Sequence, residues 1–341
     1  MRRALDGWRL VLVASLVLGL ASPALAEDVV PDNKKPEEIK KDEGWNFILT
    51  PGLSLAFADN RAVVGQTDGS TFTLGVNLLA GFDFRSGDHQ IRTRLTINEA
   101  FNRNPVLEEF VKSTDIFKFE ALYLYSILPW LGPYARFSLD TTMLEGFDHR
   151  AQATQWHITY LDGTTLDRWG YNLRLTDGFQ PLTIKESAGF FAKPYDTAEC
   201  ALEFRAGFGG LHGVADGQKA VKDDGGTPMV EVLELDSFDQ GGVELGMSLW
   251  GEVFDKKVSY KVGAEFMMPV IYSLPDGDDR GTGELTNIDI NATLSFKLLS
   301  WMSLDYVFRA MRQPQMVDAF QIQNSLLLTA SYAFFQPEEK K

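Results

Sequence analysis

Four histidines, one cysteine and an aspartate-rich loop are the places in this 341-residue chain where side-chain chemistry would ordinarily begin. The histidines are His89, His149, His157 and His212. Nucleophilic catalysis needs a nucleophile, a base and a group that orients the base. Asp148-His149 supplies an acid beside a base, and His212 stands alone, but neither has the full set at a recognisable spacing. "DGDDRGTGELTN" places Asp276, Asp278 and Gly281 at positions 1, 3 and 6 of a calcium-loop pattern. Position 5 is Arg280 and position 12 is Asn287 instead of Glu, so Asp276, Asp278 and Asp279 form only a weak metal candidate. Cys200 is the only cysteine, which excludes an internal disulfide framework. No cofactor motif is present.

The remaining candidates are charges, and their spacing matters more than their type. "TFTLGVNLLAGFDFR", from Thr71 to Arg85, alternates Phe72, Leu74, Val76, Leu78, Ala80, Phe82 and Phe84 with small or polar residues. Alternation at period two is the mark of a strand with one apolar face, and fifteen residues is long for a strand in a soluble domain. The same rhythm recurs over 45–57, 89–102, 116–127, 134–144, 181–192, 198–212, 241–253, 258–272, 285–298, 303–311 and 320–335. With 71–84 these make twelve strands. Short connections (85–88, 128–133, 193–197, 254–257, 299–302) alternate with longer ones (59–70, 103–115, 145–180, 213–240, 273–284, 312–319). Segregating short turns to one end and long loops to the other is what a transmembrane barrel does and a sandwich has no reason to do.

The fold expected is therefore all-β: an antiparallel up-and-down transmembrane barrel of about twelve strands over 45–335. Aromatic residues agree with it. Phe82, Phe84, Tyr123, Tyr125, Phe190 and Tyr260 cluster towards the short-turn ends, and Phe72, Phe101, Phe117 and Tyr272 towards the long-loop ends. Two aromatic girdles flanking an aliphatic band suit a bilayer.

Ahead of the barrel, "MRRALDGWRLVLVASLVLGLASPALA" combines Arg2, Arg3 and Arg9 with an apolar core from Leu10 to Leu20 and the small-x-small site ending at Ala26. That pattern is a cleavable secretory signal peptide over 1–26, and its core is too short to span a bilayer. Residues 27–44 read as a charged periplasmic tail, and 336–341 as a short C-terminal one. The net charge is −15, with no basic patch, so nucleic acid is not an expected partner.

The inward phase of the expected strands carries charge of both signs. Arg92, Arg94, Lys118, Glu120, Arg136, Asp140, Glu203, Arg205, Glu244, Lys261, Glu265, Asp289, Asp305 and Arg309 are the candidates for lining a lumen or constriction. Asp83, Lys185, Glu199, Glu252, Lys257 and Lys297 share that phase. Eight-stranded barrels are filled by side chains, and those of sixteen to eighteen strands are open. Twelve lies between, so two readings stand: an ion-pair network that fills the barrel, or a charged constriction that selects solutes. Excess acid collects in the long connections. The 145–180 stretch contains "QWHITYLDGTTLDRWGYNLRL", whose Trp156, Ile158, Tyr160, Leu166 and Trp169 around Asp162-Gly163 suggest a hairpin. Its aromatic residues make either a small loop core or a stacking surface for a sugar or apolar ligand. "MVEVLELDSF" in the next long connection is a candidate to pair with it.

With its leader, strand rhythm and terminal "LLLTASYAFF", the chain resembles the exported outer-membrane β-barrels of Gram-negative bacteria. Residues 95–142 also resemble, more weakly, an uncharacterised barrel family common in Bacteroidota. The first resemblance implies residence in the outer membrane, contact with the bilayer and lipopolysaccharide, and delivery by the assembly machinery that reads an aromatic-ended last strand. Here "QPEEKK" follows Phe335, so that signal is internal. An acidic rim would hold lipopolysaccharide phosphates through divalent ions or draw cations inward. The function expected is a narrow porin-like channel for small solutes; the alternatives are a closed-lumen binding or structural barrel and an outer-membrane hydrolase.

Overall fold

In a computed structural model of the protein, the described residues are 43–60, 69–105, 107–222, 226–274 and 278–332. The expected leader with its cleavage site at Ala26, the expected charged tail up to residue 42 and the last residues of the chain lie outside them, and Gly44, expected in the tail, begins the first strand.

Twelve antiparallel strands close into a barrel. They are β1 (Gly44–Asn60), β2 (Gly69–Ser86), β3 (His89–Asn104), β4 (Leu107–Tyr125), β5 (Leu131–Thr141), β8 (Leu182–Asp196), β9 (Ala201–Val214), β12 (Phe238–Val253), β13 (Val258–Tyr272), β14 (Asn287–Leu299), β15 (Met302–Gln313) and β16 (Val317–Ser331). Each pairs with the next along the chain, and β1 closes on β16 through pairs such as Leu53 with Ala330. Closure gives the first and last strands a neighbour on both sides, as backbone in a lipid solvent requires.

The expected alternation decides which face is which. Trp45, Phe47, Leu53, Leu55, Val76, Phe190, Phe208, Leu326 and Leu328 are large apolar side chains standing on the outer face and exposed. Their neighbours in sequence, among them Thr50, Ser54, Asn77 and Thr329, point inward and are buried. An apolar exterior around a polar interior inverts a soluble protein and fits a lipid solvent. At the short-turn end Trp45 packs against Phe82 and Phe84, with ring centroids 5.0 and 4.7 Å apart, and His89 packs against Tyr125 at 4.9 Å. These belong to the expected short-turn girdle.

Strand boundaries depart from expectation above the membrane. The stretch 103–115, read as a loop, is mostly strand: β4 begins at Leu107 and pairs back to Asn104, with register shifts near Phe101 and Asn102. It carries Lys112 and Asp115, which bond each other and the backbone of Met143 and Leu144, so no apolar alternation announces the strand. The expected medium connection 312–319 is similarly a tight turn between Gln313 and Val317.

The two longest connections build a second, four-stranded sheet in the order β10-β11-β6-β7. Its strands are β6 (Gly146–Thr159), β7 (Thr165–Thr176), β10 (Lys219–Val221) and β11 (Val230–Glu234). The β6–β7 hairpin turns at Asp162-Gly163, where Gly163 takes φ 79°, a backbone setting that favours glycine. β11, drawn from "MVEVLELDSF", runs parallel to β6 with Val230 opposite Trp156. Trp156, Ile158, Leu173, Val230 and Val232 form a buried core, with Tyr160 and Leu175 packed against it. The loop-core reading therefore holds for Trp156 and Ile158, whereas Leu166 and Trp169 are exposed.

Candidate functional site: the charged lumen

Arg136 on β5 is the hub of the interior. Its guanidinium lies 2.7 Å from Glu120 on adjacent β4, 2.8 Å from Glu265 on β13 and 3.6 Å from Glu244 on β12. Three strands separate β5 from β13 around the barrel, so the Arg136–Glu265 pair is a chord through the lumen. A second chord joins Arg92 on β3 to Glu203 on β9 at 3.0 Å. Arg205 binds Glu265 at 3.2 Å and approaches Glu203 at 3.8 Å, and Lys185 stands 3.8 Å from Glu265. Ser187 donates to Glu244 at 3.1 Å. Strand phase sends these side chains inward, and only barrel closure brings them together.

Water separates this interior into two parts. The side chains of Arg136, Glu203, Glu244 and Arg205 are 3, 5, 5 and 8% exposed, so the hub is dry. Lys118 and Asp140 pair loosely at 3.8 Å with 37 and 29% of their side chains exposed, and Glu120 also keeps 29%. Across β13 and β14, Lys261, Asn291 and Thr293 are also only partly buried. The wetter side chains stand on β4 and β5 beside the hub and on β13 and β14, while Asn77, Asp305 and Thr329 on β2, β15 and β16 are buried. Charge taken from water costs several kcal/mol unless well paired, so the hub, like buried Asp83 and Asp305, has to be satisfied within the protein.

The other candidates fall in place around these two zones. Arg94 forks onto Asp83 at 2.7 and 3.0 Å, and Arg309 binds Asp289 at 3.0 Å. Asp305 is fully buried and accepts a hydrogen bond from Ser303 at 2.9 Å. Lys261 has no ion pair among the described residues. All fourteen candidates thus lie on inward positions.

Sequence reasoning passed over an apolar cluster on the same inward phase. Leu122 and Leu124 follow Lys118 and Glu120 at steps of two and pack with Tyr134 and Phe191 near the short-turn end. Trp250 is buried at the same end, with the Lys193 ammonium 5.2 Å from its ring centroid. The signal was available: parity alone puts these rings and leucines inside. At the opposite mouth Leu211, Phe238 and Met267 pack together with Met316 against them. Below them a small cavity is lined in part by Lys185, Glu244, Glu265 and Asp289.

The chemical alternatives do not assemble among the described residues. His212 has both ring nitrogens taken by carboxylates, Asp239 and Glu186 (2.8 Å), on the outer face of the barrel. That arrangement leaves no nitrogen to activate a nucleophile. Asp148 accepts from the Trp156 indole at 2.7 Å and from Arg150 at 2.8 Å, which makes it a brace for the outer sheet instead of a partner for His149. His157 is bonded to Asp167 on the hairpin surface at 2.6 Å. In the acidic loop Asp276 lies outside the described residues. Asp278 is bound by Arg280 at 2.6 Å, and the Arg280 side-chain and backbone hydrogen bonds hold its carboxyl below the usual range. A cation already sits where a calcium ion would need oxygen.

Geometry and surface together define the class: a transmembrane antiparallel β-barrel with a charged, partly filled lumen. No family model matches the chain, and no curated protein does. Among solved structures it is similar to an outer-membrane channel from Pseudomonas putida F1, at 9% identity over 91% of this chain and 99% of that one, with a TM-score of 0.38. It is also similar to the translocator domain of autotransporter NalP from Neisseria meningitidis (10% identity, 87% and 90% covered, TM-score 0.36). The CymD monoaromatic hydrocarbon channel is a third (9%, 88% and 92%, TM-score 0.36).

Proposed function

We propose that this protein is an outer-membrane channel of narrow bore, passing small polar solutes along the wet aisle beside its dry ionic hub. The observation that carries the reading is the unequal hydration of the interior charges. Lys118, Glu120 and Asp140 keep water on their side chains, while Arg136, Glu203, Arg205 and Glu244 are sealed. Charges lining a wet constriction select among ions and solutes by field, at little cost to the fold. Lipid, lipopolysaccharide and the outer-membrane assembly machinery are the partners this role implies.

The apolar cluster at Leu122, Leu124, Tyr134 and Phe191 favours a second reading, in which the short-turn end is sealed and the barrel conducts nothing at rest. Planar-bilayer recording of refolded protein separates the two. Discrete conductance steps, with a reversal potential under a salt gradient that moves towards cations in Lys118→Glu, support the channel. Silence from protein whose barrel is folded supports the sealed form.

A further inference from the structure

One ring inside the barrel is a donor with no acceptor. Trp250 on β12 is 6% exposed, and its indole Nε1 is shut off from water with no hydrogen-bond partner among the described residues. An indole N–H can only donate, and a buried donor left unmet costs free energy. Directly opposite on β13 stands Lys261, so the two side chains share the inward face with Cβ atoms about 5 Å apart. Lys261 has neither a hydrogen bond nor an ion pair among the described residues. The next inward row towards the long-loop end is Ser248, Gly263 and Asn291, opposite one another on β12, β13 and β14. The Asn291 amide lies across Gly263, where a Cβ would meet its oxygen and nitrogen at 2.7 and 2.9 Å. Glycine is what lets this amide reach the wall beside Lys261.

We infer that Trp250, Lys261 and Asn291 form a recess on the lumen wall for the carboxylate of a small solute. A carboxylate only accepts, and it presents two oxygens. One can take the Trp250 N–H and the other the Lys261 ammonium, with the Asn291 amide at the side, and donors to an ionised acceptor make the stronger hydrogen bonds. The neighbouring charges leave Lys261 as the cation to be balanced. Lys193, whose ammonium lies 5.2 Å from the Trp250 ring centroid, is paired with Asp196 at 3.2 Å. Glu203, opposite Ser248, is held by Arg92 at 3.0 Å, and Asp289 by Arg309 at 3.0 Å. Asp305 accepts from Ser303, and Glu252, one row nearer the short turn, is already engaged. A single cation over calls for a monoanion; a dianion such as phosphate would bring a second charge into a half-dry wall with nothing to pair it. The inference deepens the channel reading by naming a class of solute, and rests on that reading for passage but not for binding.

The test uses the full chain refolded in detergent micelles, with sodium acetate as the probe, exchanged for sodium chloride at constant ionic strength. The readout is the thermal unfolding midpoint, which rises when a ligand binds the folded state alone. Acetate should raise it saturably, and inorganic phosphate should not. In Lys261→Met the acetate concentration giving half the effect should rise at least about tenfold, the loss expected when a hydrogen bond to a charged group is removed. Trp250→Phe, which keeps a ring and removes the N–H, should do the same. Lys261→Met lies on the wetter wall and carries the test if Trp250→Phe fails to fold. Lys219→Met, on the outer sheet, should respond as the unaltered chain does. A midpoint indifferent to acetate, an equal response to phosphate, or an undiminished response in Lys261→Met overturns the inference. A folded barrel that binds acetate yet is silent in planar bilayers would sink the channel and keep the recess, and conductance steps without any acetate response would do the reverse.

Discussion

Removing Arg136 should be the most damaging single change inside the barrel. Its guanidinium neutralises Glu120, Glu265 and Glu244 at 2.7, 2.8 and 3.6 Å, and its side chain is 3% exposed. At an effective dielectric constant near 20, each of the two shortest contacts is worth about 6 kcal/mol of Coulomb energy before desolvation. Taking the ions out of water returns much of that, so the native network itself contributes little net stability. Truncation is different, because it leaves carboxylates buried without their counter-ion. Arg136→Ala should therefore cost about 3–5 kcal/mol. Glu244 is the worst placed of the three, being 5% exposed and keeping only the Ser187 hydroxyl within 3.1 Å. Urea titration of vesicle-embedded protein, followed by tryptophan fluorescence, reads the loss as a shift of the unfolding midpoint. Lys118→Ala is the internal control: its partner Asp140 is water-accessible, so the midpoint should move by less than about 1 kcal/mol, as for surface pairs. Equal effects of the two substitutions would refute the division of the lumen into a dry hub and a wet aisle.

Lipid exposure gives a second expectation. Ala292→Arg places a charge on the outer face of β14 at mid-strand and should cost about 2–4 kcal/mol, whereas Thr293→Arg points into the aisle and should cost less; equal losses would mean the inward and outward phases are misassigned. Orientation is read by an impermeant thiol reagent on intact cells, in the Cys200→Ser background. Cysteine at Gly163, at the tip of the outer hairpin, should label and cysteine at Ser86, in the β2–β3 turn, should not, and the reverse pattern would turn the barrel over.

Much of the architecture was legible before any coordinates. Twelve strands, their order and their inward and outward faces follow from a side-chain period of two and from turns such as 85–88, all of which are local properties of the chain. That period marked Arg136, Glu244 and Glu265 as inward; the same parity applies to Leu122 and Leu124, which a reading confined to charges passes over. It also marked the hairpin around Asp162-Gly163, because that turn and its alternation lie within about twenty residues. At the start of β4, polar contacts such as those of Asp115 with the Met143 and Leu144 backbone replace apolar alternation, and the strand at 107–115 reads as loop.

Which charge meets which was decided only by closure. Arg136 and Glu265 are 129 positions apart and on strands that never touch. Their contact depends on how far each strand is staggered and tilted around the barrel, quantities set by all twelve strands at once. The same holds for the parallel pairing of β11 with β6, which crosses two barrel strands in sequence. Hydration is likewise a tertiary property: Lys118 and Arg136 look alike as inward-facing cations on neighbouring strands, and only the side chains packed around each make one wet and the other dry.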